Sequence, residues 1–328
     1  MKNRKFIFSI TLIIGISLFG FLIFKIGPIN ILENIQKLAW INFLALFFLR
    51  FLYWIYRTFL WNQICCSYHE SYSFLNLFSS RMAGHAVSYL TPASYLGGEV
   101  FRTLSVSSLN KRKVLASVII DKTIEIITAL TLALIGVLMV VFQISLPLKF
   151  KYYSVIGIFF IILVAGLLFY KQREGILTWG VYLLKRIKLK FSFIEKRRQK
   201  IREIDDYVLD FYRKNKMRFF KVFALYLILH LYWVFEIYLT MIFISGEGVD
   251  IFKCFLIVIL GTFIFFLPNI PGSLGTYEAT YIGLFVLMGF SAELGISVTI
   301  IRRVFALFWA GFGLLVIGSK KLRQEIFD

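Results

Sequence analysis

Cysteine is scarce in this chain: Cys65, Cys66 and Cys254 are the only three among 328 residues. Two are adjacent and the third sits in an apolar block, so they form neither a disulfide framework nor a metal-ligand spacing. Acid is scarce too, with 18 Asp and Glu against 37 Lys and Arg, a formal charge of +19. A surplus of that size suits nucleic acid when it covers a globular face. Here it falls between long apolar blocks, which excludes a nucleic-acid partner. No Walker-type Gly-Lys-Ser/Thr loop occurs, so direct drive by ATP is excluded, and no cofactor is expected. Outer loops are poor in acid as well. The first holds only Glu33, which leaves little to carry a metal or act as a base there.

What the chain has in abundance is apolar length. It is 59% hydrophobic with a mean hydropathy of +0.79. The apolar residues come in blocks of roughly 20, the length a helix needs to cross a ~30 Å hydrocarbon layer. This predicts an all-α fold: a single polytopic membrane helix bundle spanning 1–328, with six to eight transmembrane helices. Phe6–Ile26 exceeds a signal-peptide core and lacks a small-x-small cleavage site, so it reads as a retained first helix. Further spans are predicted near 39–61, 114–145, 152–170, 220–245 and 296–318, with 27–38 as an outer loop and 251–290 as a broken segment.

Residues 171–221 form a basic linker between two halves, with sixteen Lys/Arg against six Asp/Glu. Basic loops stay on the cytoplasmic side, which predicts a cytoplasmic-membrane protein with both termini inside. Within the linker, Ile194, Ile201, Ile204, Val208 and Phe211 recur at helical spacing among charges. They predict an amphipathic helix, lying on the membrane surface or over the cytoplasmic mouth.

Two stretches break the apolar pattern, "SYLTPASYLGGEVFRTL" (88–104) and "FLPNIPGSLGTYEATYIGLF" (266–285). In each, a proline (Pro92, Pro271) precedes a glutamate (Glu99, Glu278) by seven residues, with Leu-Gly between. Proline ends a helix and glycine lets the chain turn. The next helix then starts with unpaired N–H groups facing the break, an end that attracts anions. Inside a membrane such backbone must be buried in protein or face a watery cavity. Paired broken helices in two halves point to a transporter site.

Ionisable groups near the bilayer centre cost at least ~2.5–3.5 kcal/mol and therefore need a partner or a use. Glu99 and Arg102 lie one turn apart if a helix begins after Gly98, and Arg81 could reach the same region. Glu278 has no basic neighbour in its own block, so it takes a partner from another helix, a substrate, or a shifted pKa. Arg302 and Arg303 are the candidates to counter Glu278 or Glu99. Asp121 and Glu125 share a helix face beside Lys122, readable as a solvated face near a cytoplasmic helix end. Arg50 and Arg57 share a face two turns apart, and His230 with Glu236 fits either a proton relay or a buried histidine.

Three clusters together resemble a known family: Arg81, Thr91-Pro92, Gly97-Gly98-Glu99 and Arg102; then Asp121-Lys122 and Glu125; then Pro271-Gly272, Gly275 and Glu278. They are similar to the lysylphosphatidylglycerol synthase transmembrane region family, also called flippase-like, across nearly the whole chain. Asp121-Lys122 and Glu125 stand where that pattern has Glu-Arg and Asp, and Ser273 where a further glycine is common. The synthases carry a soluble aminoacyl-transfer domain, whereas this chain ends about ten residues beyond its last predicted helix. The resemblance therefore implies lipid movement between leaflets rather than lipid synthesis.

The expected function is translocation of a phospholipid, aminoacyl-phospholipid or polyprenyl-phosphate-linked cargo, passive or ion-coupled. Arg81 and Arg102 with the helix start near Gly98 would take the phosphate, and Glu99 and Glu278 a cationic or hydroxylated head group. Arg303 is included as a counter-charge. The alternatives are a membrane-embedded transferase acting on a lipid carrier, and a non-catalytic subunit of a cell-envelope lipid or glycan pathway. The expected partners are membrane lipids and a separate lipid-modifying enzyme.

Overall fold

Helix is the only regular structure among the described residues. The computed structural model describes residues 28–68, 72–90, 96–106, 110–143, 175–186, 198–262 and 273–318, with a few positions between 21 and 24 and between 157 and 171. The predicted spans at Phe6–Ile26 and 152–170 fall mostly outside these residues, as do Pro92, Pro271 and Gly272. The described helices are α1 (Pro28–Gln36), α2 (Trp40–Cys65), α3 (Phe74–Leu90), α4 (Leu96–Ser105), α5 (Lys111–Gln143), α6 (Ile176–Arg186), α7 (Arg198–Lys214), α8 (Lys216–Ser245), α9 (Ile251–Gly261), α10 (Thr276–Leu287) and α11 (Ala292–Gly318).

Among them α2, α8 and α11, of 26, 30 and 27 residues, are long and apolar enough to cross a bilayer. Their outward faces carry bare hydrophobic side chains, such as Phe48 and Leu52 on α2, Leu231 and Phe235 on α8, and Leu307, Phe308 and Leu315 on α11. Charged side chains, by contrast, lie inside: Arg50, Arg81, Arg102, Asp121, Glu236, Glu278 and Arg302 are all buried. Apolar outside and charged inside is the arrangement hydrocarbon selects, and this is an all-α membrane helix bundle.

Both interrupted segments are built from short helices. The first is α3 (17 residues) and α4 (10), the second α9 (11) and α10 (12). At 1.5 Å per residue each is shorter than the ~20-residue helix that spans the hydrocarbon. Two boundaries differ from expectation. Residues 28–36, expected in an outer loop, form helix α1, which packs on α11 and buries Ile31; Pro28 occupies its first position, where a missing N–H costs nothing. Helix α4 begins at Leu96 rather than after Gly98, so both glycines lie within its first turn.

Two compact units divide the chain. The first comprises Met1–Arg57, Leu75–Ser105 and Leu229–Asp328. In it Leu46, Arg50, Tyr53 and Trp54 line one face of α2 at helical spacing. Phe47 and Phe51 of α2 stack on Trp309 of α11, with ring centroids 5.9 and 6.0 Å apart. Small residues let α3 approach its neighbours closely. A Cβ added at Gly84 would lie 2.7 Å from the Gly98 carbonyl oxygen and 2.8 Å from Arg102 Cβ. One at Gly98 would strike Ser88 and the Gly84 carbonyl, and one at Gly313 of α11 would strike the Met82 carbonyl. Small-residue contacts of this kind hold membrane helices together where lipid supplies no hydrophobic drive.

The second unit comprises Thr58–Phe74 and Val106–Ile228. The predicted amphipathic helix is α7; of its expected stripe Ile204, Val208 and Phe211 are buried, Ile201 is half-buried and Ile194 lies outside the described residues, and α7 packs against α5 and α6. The buried Asp205 on α7 caps a different helix. Its two oxygens accept from the N–H groups of Leu177 (2.9 Å) and Thr178 (2.8 Å) and from the Thr178 hydroxyl (2.6 Å). A carboxylate at a helix N-terminus satisfies donors that have no partner within the helix. Gly175, immediately before α6, has φ +105° and packs against Asp205, where a Cβ would meet the carboxylate at 2.9 Å.

Gly98→Ala should lower the thermal unfolding temperature in detergent, at a cost of ~1–3 kcal/mol for overpacking. Gly311→Ala, where an added Cβ meets nothing within 4 Å, should leave it unchanged. Asp205→Asn removes charge-assisted hydrogen bonds worth ~1.5–3 kcal/mol. Hydrogen exchange at the Leu177 and Thr178 amides should rise by about tenfold or more, while the α11 core holds its protection.

Candidate functional site

The second interruption ends in a tight, charged turn. Gly275, with φ +76°, stands immediately before α10, and Glu278 in the first turn reaches back so that Oε2 accepts from the Gly275 N–H at 2.7 Å. Glu278 has no exposed surface. Its Oε1 accepts from Arg303 Nε of α11 at 2.5 Å. Arg303 goes on to donate from Nη1 to the Tyr89 hydroxyl of α3 (3.0 Å) and from Nη2 to the Ser273 carbonyl (3.1 Å). One guanidinium thus ties α11 to the turn before α10 and to the end of α3. Its flat, forked donors suit that task as an ammonium would not. Ser273 sits at φ +51°, a left-handed conformation that favours glycine.

Glu278 therefore has a partner from another helix. It is Arg303; the adjacent Arg302 goes elsewhere. Arg302 is 3% exposed, and its Nε lies 3.7 Å from Oε1 of Glu236 on α8. Arg50 of α2 donates from Nη2 to the same oxygen. Aromatic faces pack around the trio. The Arg302 guanidinium carbon is 4.6 Å from the Trp233 ring centroid and 5.3 Å from that of Tyr281, and the Arg50 one is 5.1 Å from Trp233 and 5.5 Å from Tyr53. Cation–π contacts are strongest where water is excluded. Arg57, two turns along α2 from Arg50, donates to the Tyr53 hydroxyl at 3.2 Å.

At the first interruption, Arg102 Nη1 pairs with Glu99 Oε2 at 3.1 Å across one turn of α4. Arg102 is buried and Glu99 keeps 22% of its side chain exposed. Arg81 is buried on α3, one turn before the Gly84 that abuts Gly98 and Arg102. Gly97 is half-buried and Gly98 fully so. Gly98 serves close packing here, which corrects its expected place as the residue before a helix start. Helix α3 thus touches both motifs: Tyr89 reaches Arg303, and Gly84 and Ser88 lie against Gly98.

Asp121 and Glu125 belong to the second unit. Asp121 is fully buried and accepts from the Tyr226 hydroxyl at 2.7 Å, so it is no solvated face. Burial of a carboxylate demands such a donor. Glu125, half-buried, pairs with Lys122 at 3.0 Å. Trp61 donates to Ser117 Oγ at 3.0 Å on the same helix, α5. Sequence alone signals neither Tyr89 nor the Arg50–Glu236–Arg302 grouping. Intramembrane charges must pair, but nothing local to residues 50, 236 and 302 says with which partner.

Residues 7–313 match the sequence profile of the lysylphosphatidylglycerol synthase transmembrane region. The chain belongs to that family. The match takes in both interruptions, the Asp121–Glu125 helix and the Glu278–Arg303 pair. Two relatives span nearly the same length. A UPF0104 membrane protein of Methanothermobacter thermautotrophicus is 22% identical over 321 residues, covering 94% of this chain and 93% of its own. One from Pyrococcus horikoshii is 27% identical over 337 residues, covering 95% and 97%. No solved structure matches the chain.

Removing one partner of a buried ion pair costs ~3–5 kcal/mol, because the other charge is stranded. Glu278→Gln should accordingly lower the unfolding temperature in detergent sharply. Glu278→Gln combined with Arg303→Gln should recover part of the loss, and a double mutant worse than the single would contradict the pairing.

Proposed function

We propose that this protein translocates a lipid between the leaflets of the cytoplasmic membrane, with both termini and the basic 171–221 segment on the cytoplasmic side. The observation that supports this most directly is the burial of Glu278, Arg102 and Arg81, with Arg303 paired to Glu278, at two helix interruptions beneath an apolar, lipid-facing exterior. Charges held at such cost in a membrane protein fit a path for a polar head group better than they fit stability. The cargo is a phospholipid, an aminoacyl-phospholipid or a polyprenyl-phosphate-linked molecule. On this reading Arg81 and Arg102 meet phosphate, while Glu99 and Glu278 meet cationic or hydroxylated groups, with Gly97, Gly98 and Gly275 allowing backbone to approach. Arg303 holds Glu278 until a head group competes for it. Family membership supports a lipid-related membrane role.

The test is leaflet-resolved exposure of a labelled phospholipid in vesicles carrying the purified protein. Wild type should accelerate exchange over protein-free vesicles. Arg102→Ala and Glu278→Gln should each slow it about tenfold or more, the effect of losing ~1.4 kcal/mol at the barrier. Wild-type rates in both variants would remove these residues from the path.

A further inference from the structure

The Arg50–Glu236–Arg302 group is one anion short. Two guanidinium groups share a single carboxylate oxygen, which leaves a net positive charge among residues that are at most 8% exposed. None of the three guanidinium nitrogens of Arg302 has a hydrogen-bond partner among the described residues. Trp233, Tyr281 and Tyr277 stand around it with ring centroids at 4.6, 5.3 and 5.9 Å. Aromatic faces orient a cation, yet they recover less than the desolvation of an ion costs. The group is also one donor short, since Glu236 Oε2 is buried and has no hydrogen-bond partner among the described residues. An unfilled acceptor beside an unfilled set of donors describes a ligand with both complements.

We propose that Arg50, Glu236 and Arg302 form a head-group seat for a phosphodiester that carries a neighbouring hydroxyl or ammonium donor. Phosphate oxygens accept from Arg302 Nη1 and Nη2 and from Arg50, and the hydroxyl or N–H donates to Glu236 Oε2. Planar guanidinium groups bind phosphate bidentately, which suits a pair of them to this task. Bound phosphate with a hydroxyl donor neutralises the set, whereas an ammonium donor fills Glu236 but leaves one positive charge. The proposal rests on the lipid-translocation reading and adds the chemistry of the cargo and a second place where it is held, apart from Glu278 and Arg303. Phosphatidylglycerol meets both requirements, and phosphatidylethanolamine meets the donor requirement alone. Phosphatidylcholine does not, because its trimethylammonium has no N–H. A lipid and a soluble phosphate ester such as glycerol phosphate share the chemistry, and the apolar exterior of the surrounding helices favours the lipid.

Thermal unfolding of the full chain in detergent, with added dihexanoyl lipids, tests this through the stabilisation that binding confers. Dihexanoyl-phosphatidylglycerol should raise the unfolding temperature of wild type, with half-saturation at least tenfold lower than for dihexanoyl-phosphatidylcholine. In Arg302→Gln and Glu236→Gln the glycerol-lipid shift should shrink to the choline level, and Arg302→Lys should restore part of it. Without lipid, Arg302→Gln should unfold no lower than wild type, since it removes the surplus charge; a purely structural Arg302 would make it unfold lower. An unchanged shift in both glutamine variants would overturn the seat, as would equal response to the choline lipid. Glycerol phosphate matching the lipid would overturn the lipid source. Intact, variant-sensitive binding without leaflet exchange would leave the seat standing and remove translocation; persistent exchange with variant-insensitive binding would do the reverse.

Discussion

The fully buried carboxylate of Glu278, held by a guanidinium nitrogen at 2.5 Å and a backbone N–H at 2.7 Å, sets the terms for the rest of the first unit. An ion in hydrocarbon is tolerable only with its hydrogen bonds filled. To fill them, α11 must present Arg303 to the start of α10, and the Ser273–Gly275 turn must take a left-handed path that turns a carbonyl to that arginine and an N–H to Glu278. Tyr89 must then sit at the end of α3. Close approach of α3 to α4 and α11 follows from Gly84, Gly98 and Gly313, because any side chain at those points would push backbones apart.

The same cost explains the contrast between the two arginines that follow each other on α11. Arg303 spends its donors on Glu278, Tyr89 and Ser273, whereas Arg302 is left with ring faces and a shared carboxylate. One reads as a structural clasp around an interruption and the other as an unsatisfied cation. Arg302 can take a ligand without giving up a bond, whereas a head group that reaches Glu278 must first displace Arg303.

Much of the fold was legible in the chain. Apolar blocks of membrane length, prolines and glycines at two breaks, and basic connecting segments all act locally, through hydropathy and backbone geometry. The stripe Ile204, Val208 and Phe211 announced α7, although its burial against α5 and α6 needed partners that no local pattern names. Helix α1 was missed because a glycine-proline start reads as a loop when the partner that buries Ile31 is not visible in the sequence. Asp121 looked like a solvated face for a similar reason: Tyr226, its donor, lies 105 residues away.

By itself the sequence determined that this is an all-helical membrane protein, where its helices are interrupted, and that Glu278 has no basic partner in its own block. Only tertiary structure decided which cation. Consecutive residues on an α-helix point about 100° apart, since 3.6 residues complete a turn. Arg302 and Arg303 are chemically identical in sequence, and the rotation of α11 against α10 and α8 alone sends one to Glu278 and the other to Glu236.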